Sequence, residues 1–357
     1  SRCALAAKGS STVSSVNLLR VRLQLLTTMM TMQFVVSASL LAVVTAELPK
    51  GYPSIPMHGV DGNVQMPLIG IGTWLYNDTV AEQAVLSAFD LGYRHVDTAL
   101  VYKNHAGVAA ALAKSGLKRE EFFVTTKIPG GSGAEKTKEA LDICLDQLKV
   151  DYVDLMLFHF PAVGEDAAAK RKEEWLALET WAKSGKARAI GVSHYCKTHL
   201  EDVLSVATLP VALNQNQYHI GMAHDSQPRL HDKAFAEDHG IIYQSYSSLC
   251  GPCDPPDNME LITGDLVTGI GKQHNKTGAQ VSLKWLVQQN IPIIPKSSNP
   301  KHIKSNFELF DFELTEGEMA QLSAATSPKE TGTPQNPDDA QDCASEVPSK
   351  GGSQVFL

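Results

Sequence analysis

The chain has 357 residues, of which 43% are hydrophobic and 20% charged, and its formal net charge is −8. That apolar fraction supports a large packed core and excludes an intrinsically disordered chain, while the acidic balance argues against bulk binding to nucleic acid or to an anionic membrane. Length alone leaves open one large domain or two ordinary ones.

Residues 1–46 contain no acid and carry Arg2, Lys8, Arg20 and Arg22, so the body of the protein is more acidic than the total charge suggests. The apolar run from Phe34 to Val44 is shorter than the roughly 20 residues of a membrane span and has the length of a signal-peptide core. Val44, Thr45 and Ala46 precede Glu47, the first acid, which suits cleavage after Ala46, with Met29, Met30 or Met32 as a natural start. Residues 1–46 are therefore expected to be a removable targeting segment, and no stable membrane span is expected. The destination is the secretory pathway or, given the Ser-rich and acid-free composition, an organelle. The alternatives are a disordered extension and a cytoplasmic protein.

Next in the chain, Val60-Asp61-Gly62-Asn63-Val64 carries the Asp-Gly turn of a β-hairpin, placed to plug a barrel floor. Beyond it, short β-rich runs near 69–73, 94–97, 122–127, 153–158, 188–192, 211–215, 241–246 and 292–295 alternate with helical patterns. One such helix runs from Lys170 to Ser184, with Trp175, Leu178 and Trp181 on a single face. Gly92, Gly185 and Gly240 each stand between a helical pattern and a strand, where a left-handed residue closes a helix. Eight alternating strands predict an α/β fold of the (β/α)8 TIM-barrel type with an N-terminal β-hairpin, over residues 47–326. A doubly wound sheet would show a GxGxxG turn after its first strand, and Gly70-Ile71-Gly72 is only a fragment of one. Residues 327–357, rich in Pro, Gly, Ser and Asp, read as a disordered tail.

Six cysteines, Cys3, Cys144, Cys196, Cys250, Cys253 and Cys343, do not make a disulfide scaffold in a chain of this size, and none has zinc-site spacing. No metal is expected. Cys250-Gly251-Pro252-Cys253 has the letters of a dithiol active site, but Asp254-Pro255-Pro256 is a poor helix start to stabilise a thiolate. An inert loop is the first reading, a disulfide that modulates cofactor exchange the second, and dithiol catalysis the third.

Seven of the predicted strands end on a residue that can do chemistry or hold a ligand: Asp97, Lys127, His159, Ser193, Gln215, Tyr246 and Lys296. In a barrel such ends converge on one mouth. Tyr102 follows Asp97 closely, and a phenol serves as an acid when a cation such as Lys127 stabilises the phenolate. Asp97 would hold Lys127 protonated, and His159 would orient a substrate oxygen, a set that suits protonation of a carbonyl. Taken singly, each has a plainer role: a rim ion pair, a hydrogen-bonded core histidine, a half-buried loop tyrosine. His105, His219 and His231 read as structural or surface residues.

The segments Gly92-Tyr93-Arg94-His95-Val96-Asp97-Thr98-Ala99, Thr126-Lys127-Ile128, Leu157-Phe158-His159, Gly191-Val192-Ser193, Asn214-Gln215 and Ile294-Pro295-Lys296-Ser297 closely resemble the aldo-keto reductases, from about Met57 to Ser323. The resemblance implies a TIM barrel that binds NADP(H) and transfers hydride to an aldehyde or ketone. It makes Tyr102 the general acid, supported by Asp97, Lys127 and His159, and lines the substrate pocket with Trp74 and His159. It assigns Tyr246 to the nicotinamide ring, Ser193 and Gln215 to the carboxamide, Ser247 and Leu249 to the pyrophosphate, and Lys296 and Ser297 to the 2′-phosphate. An Asn299-Pro300 helix start beside Lys296 suits phosphate on physical grounds as well.

Three positions depart from the family pattern. His194 stands where Asn is usual beside the carboxamide. His302 replaces an Arg that clamps the phosphate, and Ser305 a Glu near the adenine, while Asn306 is retained. NADPH is thus the expected cofactor, with NADH possible because a mostly neutral imidazole clamps phosphate less well. A short segment after His159 suggests an open pocket for small carbonyl compounds. The expected activity is NADPH-dependent reduction of aldehydes and ketones by a monomer. The alternatives are an NADP(H)-binding redox sensor with little turnover and, within enzymes, thiol–disulfide exchange.

Overall fold

The computed structural model describes residues 48–223, 228–250 and 257–328, all within one compact unit. The expected targeting segment, the tail beyond Pro328, the thiols Cys3, Cys253 and Cys343, and the His231 side chain lie outside the described residues.

The chain enters as the hairpin β1 (Ser54–Gly59) and β2 (Gly62–Pro67), closed by Val60-Asp61 with Gly59 opposite Gly62. The hairpin's Met57, Val64 and Met66 are buried in one cluster with Phe123, Leu155, Leu157, Ala189 and Leu213, which come from four different strands. The hairpin therefore seals the barrel floor, as expected from its turn.

Seven parallel strands then pair in chain order: β3 (Ile71–Gly72), β4 (His95–Asp97), β5 (Phe123–Ile128), β6 (Val153–Phe158), β7 (Ala187–Ser193), β8 (Leu213–Gln217) and β9 (Ile242–Tyr246). The expected eighth strand at 292–295 is reduced to isolated bridges from Ile293 to Ile69 and to Ser245. Pro292 and Pro295 have no N–H to donate, so the segment cannot sustain a ladder. It still closes the ring, because Ile293 N–H donates to Leu68 O at 2.9 Å and Gly70 N–H donates to Ile293 O at 2.9 Å.

Helices α1 (Asp78–Asp90), α2 (His105–Lys114), α3 (Ala134–Leu148), α4 (Ala167–Trp181), α5 (Lys197–Leu204) and α6 (Pro228–Asp238) follow β3 to β8 in turn. After β9 come α7 (Asp257–Thr263), α8 (Asp265–His274) and α9 (Gly278–Val287), and then α10 (Pro300–Phe307) and α11 (Glu316–Ser323). Trp175, Leu178 and Trp181 of α4 are buried as their spacing predicts, and a wide turn over Ala182–Lys186 ends the helix at Gly185, with φ 85. Gly92 and Gly240 are left-handed too. Ser327 and Pro328, assigned from sequence to the tail, pack against the barrel. Ser327 Oγ donates to Glu260 at 2.6 Å, and a Cβ on Gly221 would lie 2.2 Å from Pro328 O.

At the floor, buried Asp154 of β6 accepts from Arg119 and Arg188 at 2.7 Å each and from Val124 N–H at 2.8 Å. Removing one side of a buried ion pair leaves an uncompensated charge. Asp154→Ala should therefore lose about 3–5 kcal/mol in urea unfolding; a loss below about 1 kcal/mol would contradict this role.

Candidate active site

The loops after the strands' carboxyl ends hold six non-glycine residues at positive φ: Leu75, Lys103, Asp166, His194, Ser247 and Cys250. Such backbone persists only where the surroundings over-determine it, and it clusters at functional sites. These loops surround one pocket lined by Trp74, Asp97, Tyr102, His159, His194, Gln215, Tyr246, Ser247, Leu249 and Lys296, all of them residues expected from the sequence. Phe160, Leu75 and Thr73 line it as well and were not foreseen. Phe160 stacks on His159 at 4.4 Å between centroids, and its place immediately after a strand-end histidine was the available signal.

Asp97 ends β4, and Lys127 sits just before the end of β5; both are buried. Lys127 Nζ donates to Asp97 Oδ1 at 2.5 Å and to Thr98 O at 3.1 Å, and lies 3.5 Å from Tyr102 Oη. Burial lowers the Lys127 pKa, and Asp97 opposes that effect. Tyr102 comes from a short 3-10 turn, Leu100–Tyr102.

Burial raises the Tyr102 pKa well above 10.0, and the charges of Asp97 and Tyr246 add to the rise. Tyr102 therefore rests as a neutral phenol that keeps its proton. His159 meets Tyr102 edge to face at 5.4 Å. Its pKa is pushed well below 6.5 by burial, then by Lys127 and His194, so the ring is neutral.

On the other side of Asp97, Gln215 Nε2 donates to Asp97 Oδ2 at 2.9 Å, and Ser193 Oγ donates to Gln215 O at 2.8 Å. His194 Nδ1 lies 2.8 Å from His159 O, so that nitrogen carries the proton and fixes the ring between Phe160 at 4.6 Å and Tyr246 at 4.9 Å. Lys296 stands 4.8 Å over the Tyr76 ring. Asn299 caps α10 by accepting from Lys301 N–H at 3.0 Å, with Pro300 in the first turn. Ser297, His302 and Asn306 belong to this same corner but do not line the pocket, and His302 is exposed.

The sequence profile of the aldo/keto reductase family matches residues 68–327. The chain belongs to the aldo/keto reductase family. It is 37% identical over 278 residues to the glyoxal reductase of Bacillus subtilis, covering 77% of this chain and 94% of that protein. It is 34% identical over 274 residues to the morphine 6-dehydrogenase of Pseudomonas putida, covering 75% of this chain and 90% of that protein. An aldo-keto reductase crystal structure from a deep-sea metagenome library superposes with TM-score 0.68 at 35% identity, over 76% of this chain and 95% of that one. The protein is thus an oxidoreductase of a family that acts on carbonyl groups, and its curled parallel sheet is the (β/α)8 barrel of that family.

Cys196, at the start of α5, and Cys250, after β9, are each disulfide-bonded, while Cys144 is a buried free thiol. Cys250 is therefore not a standing nucleophile, and Cys253 lies outside the described residues. His105 is structural as expected, its Nδ1 3.1 Å from Gln147 Oε1 and its Nε2 3.0 Å from Thr126 Oγ1. His219 is also fully buried, with Nδ1 2.7 Å from Ile220 O.

Burial lowers the His95 pKa to about 3 and that of His105 to about 4. As pH falls below the unfolded value near ~6.5, the unfolded chain takes up protons that the fold refuses. The stability these rings contribute is complete above that value and is lost toward pH 4. His105→Gln should flatten the pH dependence of urea unfolding between roughly pH 6.5 and 4 by up to about 1.4 kcal/mol per unit; an unchanged slope would contradict it.

Proposed function

We propose that the protein reduces aldehydes and ketones with NADPH, with Tyr102 as the general acid. The observation that carries this reading is the buried relay at the pocket floor, in which Lys127 is held by Asp97 at 2.5 Å and reaches Tyr102 Oη at 3.5 Å.

The residues present fit the cofactor. Tyr246 offers a half-buried aromatic face, Gln215 has both amide hydrogens engaged and an oxygen left to accept, and the capped start of α10 stands beside Lys296. Tyr246 would support the nicotinamide, while Ser193, His194 and Gln215 would hold its carboxamide. Ser247 and Leu249 would follow the pyrophosphate, and Lys296, Ser297, His302 and Asn306 the adenosine phosphate. When bound, NADPH supplies the hydride that reaches the carbonyl carbon.

The chain's own groups handle the oxygen. Neutral His159 donates a hydrogen bond that orients it. As negative charge develops there, Tyr102 transfers its proton, and Lys127 stabilises the phenolate left behind. Asp97 keeps Lys127 charged against the pull of burial. Trp74, Phe160 and Leu75, the last 69% exposed, give the rest of the substrate an apolar wall. The disulfides at Cys196 and Cys250 support an oxidising compartment, in keeping with the targeting segment expected at residues 1–46.

NADPH oxidation with a panel of small aldehydes and ketones tests the reading. Tyr102→Phe should lower kcat/KM by at least about 100-fold while NADPH binding is kept. Unimpaired reduction by that variant would sink the assignment.

A further inference from the structure

Gln244, on β9, is fully buried and does not line the pocket. Its Oε1 accepts from Gln215 Nε2 at 2.8 Å, whereas its own Nε2 has no hydrogen-bond partner among the described residues. A buried amide nitrogen left unpaired is destabilising, and a leucine of similar size would avoid that loss. The feature that explains the glutamine is its other end.

Gln215 has two amide hydrogens. One is given to Asp97 Oδ2 at 2.9 Å and the other to Gln244 Oε1. Asp97 is paired with Lys127, so it acts as an acceptor, and the atom of Gln215 that faces it must be the nitrogen. With both hydrogens committed inside the barrel, Gln215 can offer the pocket only its acceptor oxygen. We infer that Gln244 is a positioning residue that acts through Gln215, making the nicotinamide end of the pocket selective for a ligand group that donates a hydrogen bond. The inference rests on the cofactor reading above and concerns how Gln215 meets that cofactor.

A primary carboxamide has N–H to donate to that oxygen; a carboxylate in its place has none and would set negative charge against an acceptor. Without Gln244 Oε1, Gln215 is free to turn about its remaining bond to Asp97 and to offer an N–H instead.

The test is equilibrium binding by calorimetry, on the full chain, of NADP+ and of its nicotinic acid analogue, in which a carboxylate replaces the carboxamide. The wild type should favour NADP+ by about 100-fold or more. Gln244→Leu and Gln244→Met should narrow that ratio by at least about fivefold, with urea midpoints equal to or above the wild type. Gln244→Glu, which keeps an acceptor oxygen, should restore the wild-type ratio. An unchanged ratio in either apolar variant would overturn the inference while leaving the cofactor reading intact. Failure of the wild type to bind NADP+ at all would remove the cofactor reading and this inference with it.

Discussion

The site depends on one buried ammonium. Lys127 lies inside the barrel with no water-exposed surface, where its charge is tolerable only against a carboxylate and a carbonyl held within bonding distance. Those partners come from β4, a different strand and a distant part of the chain. The barrel therefore has to bring β4 and β5 together with the strand ends in register, Asp97 opposite Thr125 and Lys127 opposite Leu157. The same carboxylate then serves two masters: Oδ1 receives Lys127 and Oδ2 receives Gln215, so the half of the pocket proposed to hold the acid and the half proposed to hold the nicotinamide share one anchor.

The rest of the mouth is arranged around that anchor by rings and by strained backbone. Tyr102, His159, Phe160, His194 and Tyr246 contact one another in sequence around the pocket. His194 and Ser247 hold left-handed conformations that a non-glycine residue seldom adopts. Cys196 and Cys250, each disulfide-bonded, lie close in sequence to His194 and to Ser247 and Leu249 of the pocket wall.

Much of this was legible from residue order. Strand ends were readable because hydrophobic runs stop at polar residues, and barrel topology turns that spacing into proximity for Asp97, Lys127, His159 and Gln215. The missing eighth strand was also written in the chain, in Pro292 and Pro295, but a run of Ile and Pro reads as β-rich until the lost N–H groups are counted. The state of Tyr102 was not legible. Whether a neighbouring cation lowers a phenol's pKa depends on whether that cation is already paired and on how deeply both are buried, and neither is a property of sequence spacing. Gln244 escaped for a similar reason: the role inferred for it rests on one hydrogen bond to a residue on the adjacent strand. Phe160 and Leu75 belong to loops, where side-chain direction follows from backbone angles such as the φ of 62 at Leu75 rather than from any period.

The claim that Lys127 powers the acid is tested most directly by single-turnover reduction of an aromatic aldehyde by bound NADPH, followed across pH in the wild type and in Lys127→Met. The wild-type rate should hold through neutral pH and fall only where Tyr102 loses its proton, above its ordinary range. The variant should bind NADPH yet turn over at least about 100-fold more slowly at every pH. Wild-type rates in Lys127→Met would contradict the account.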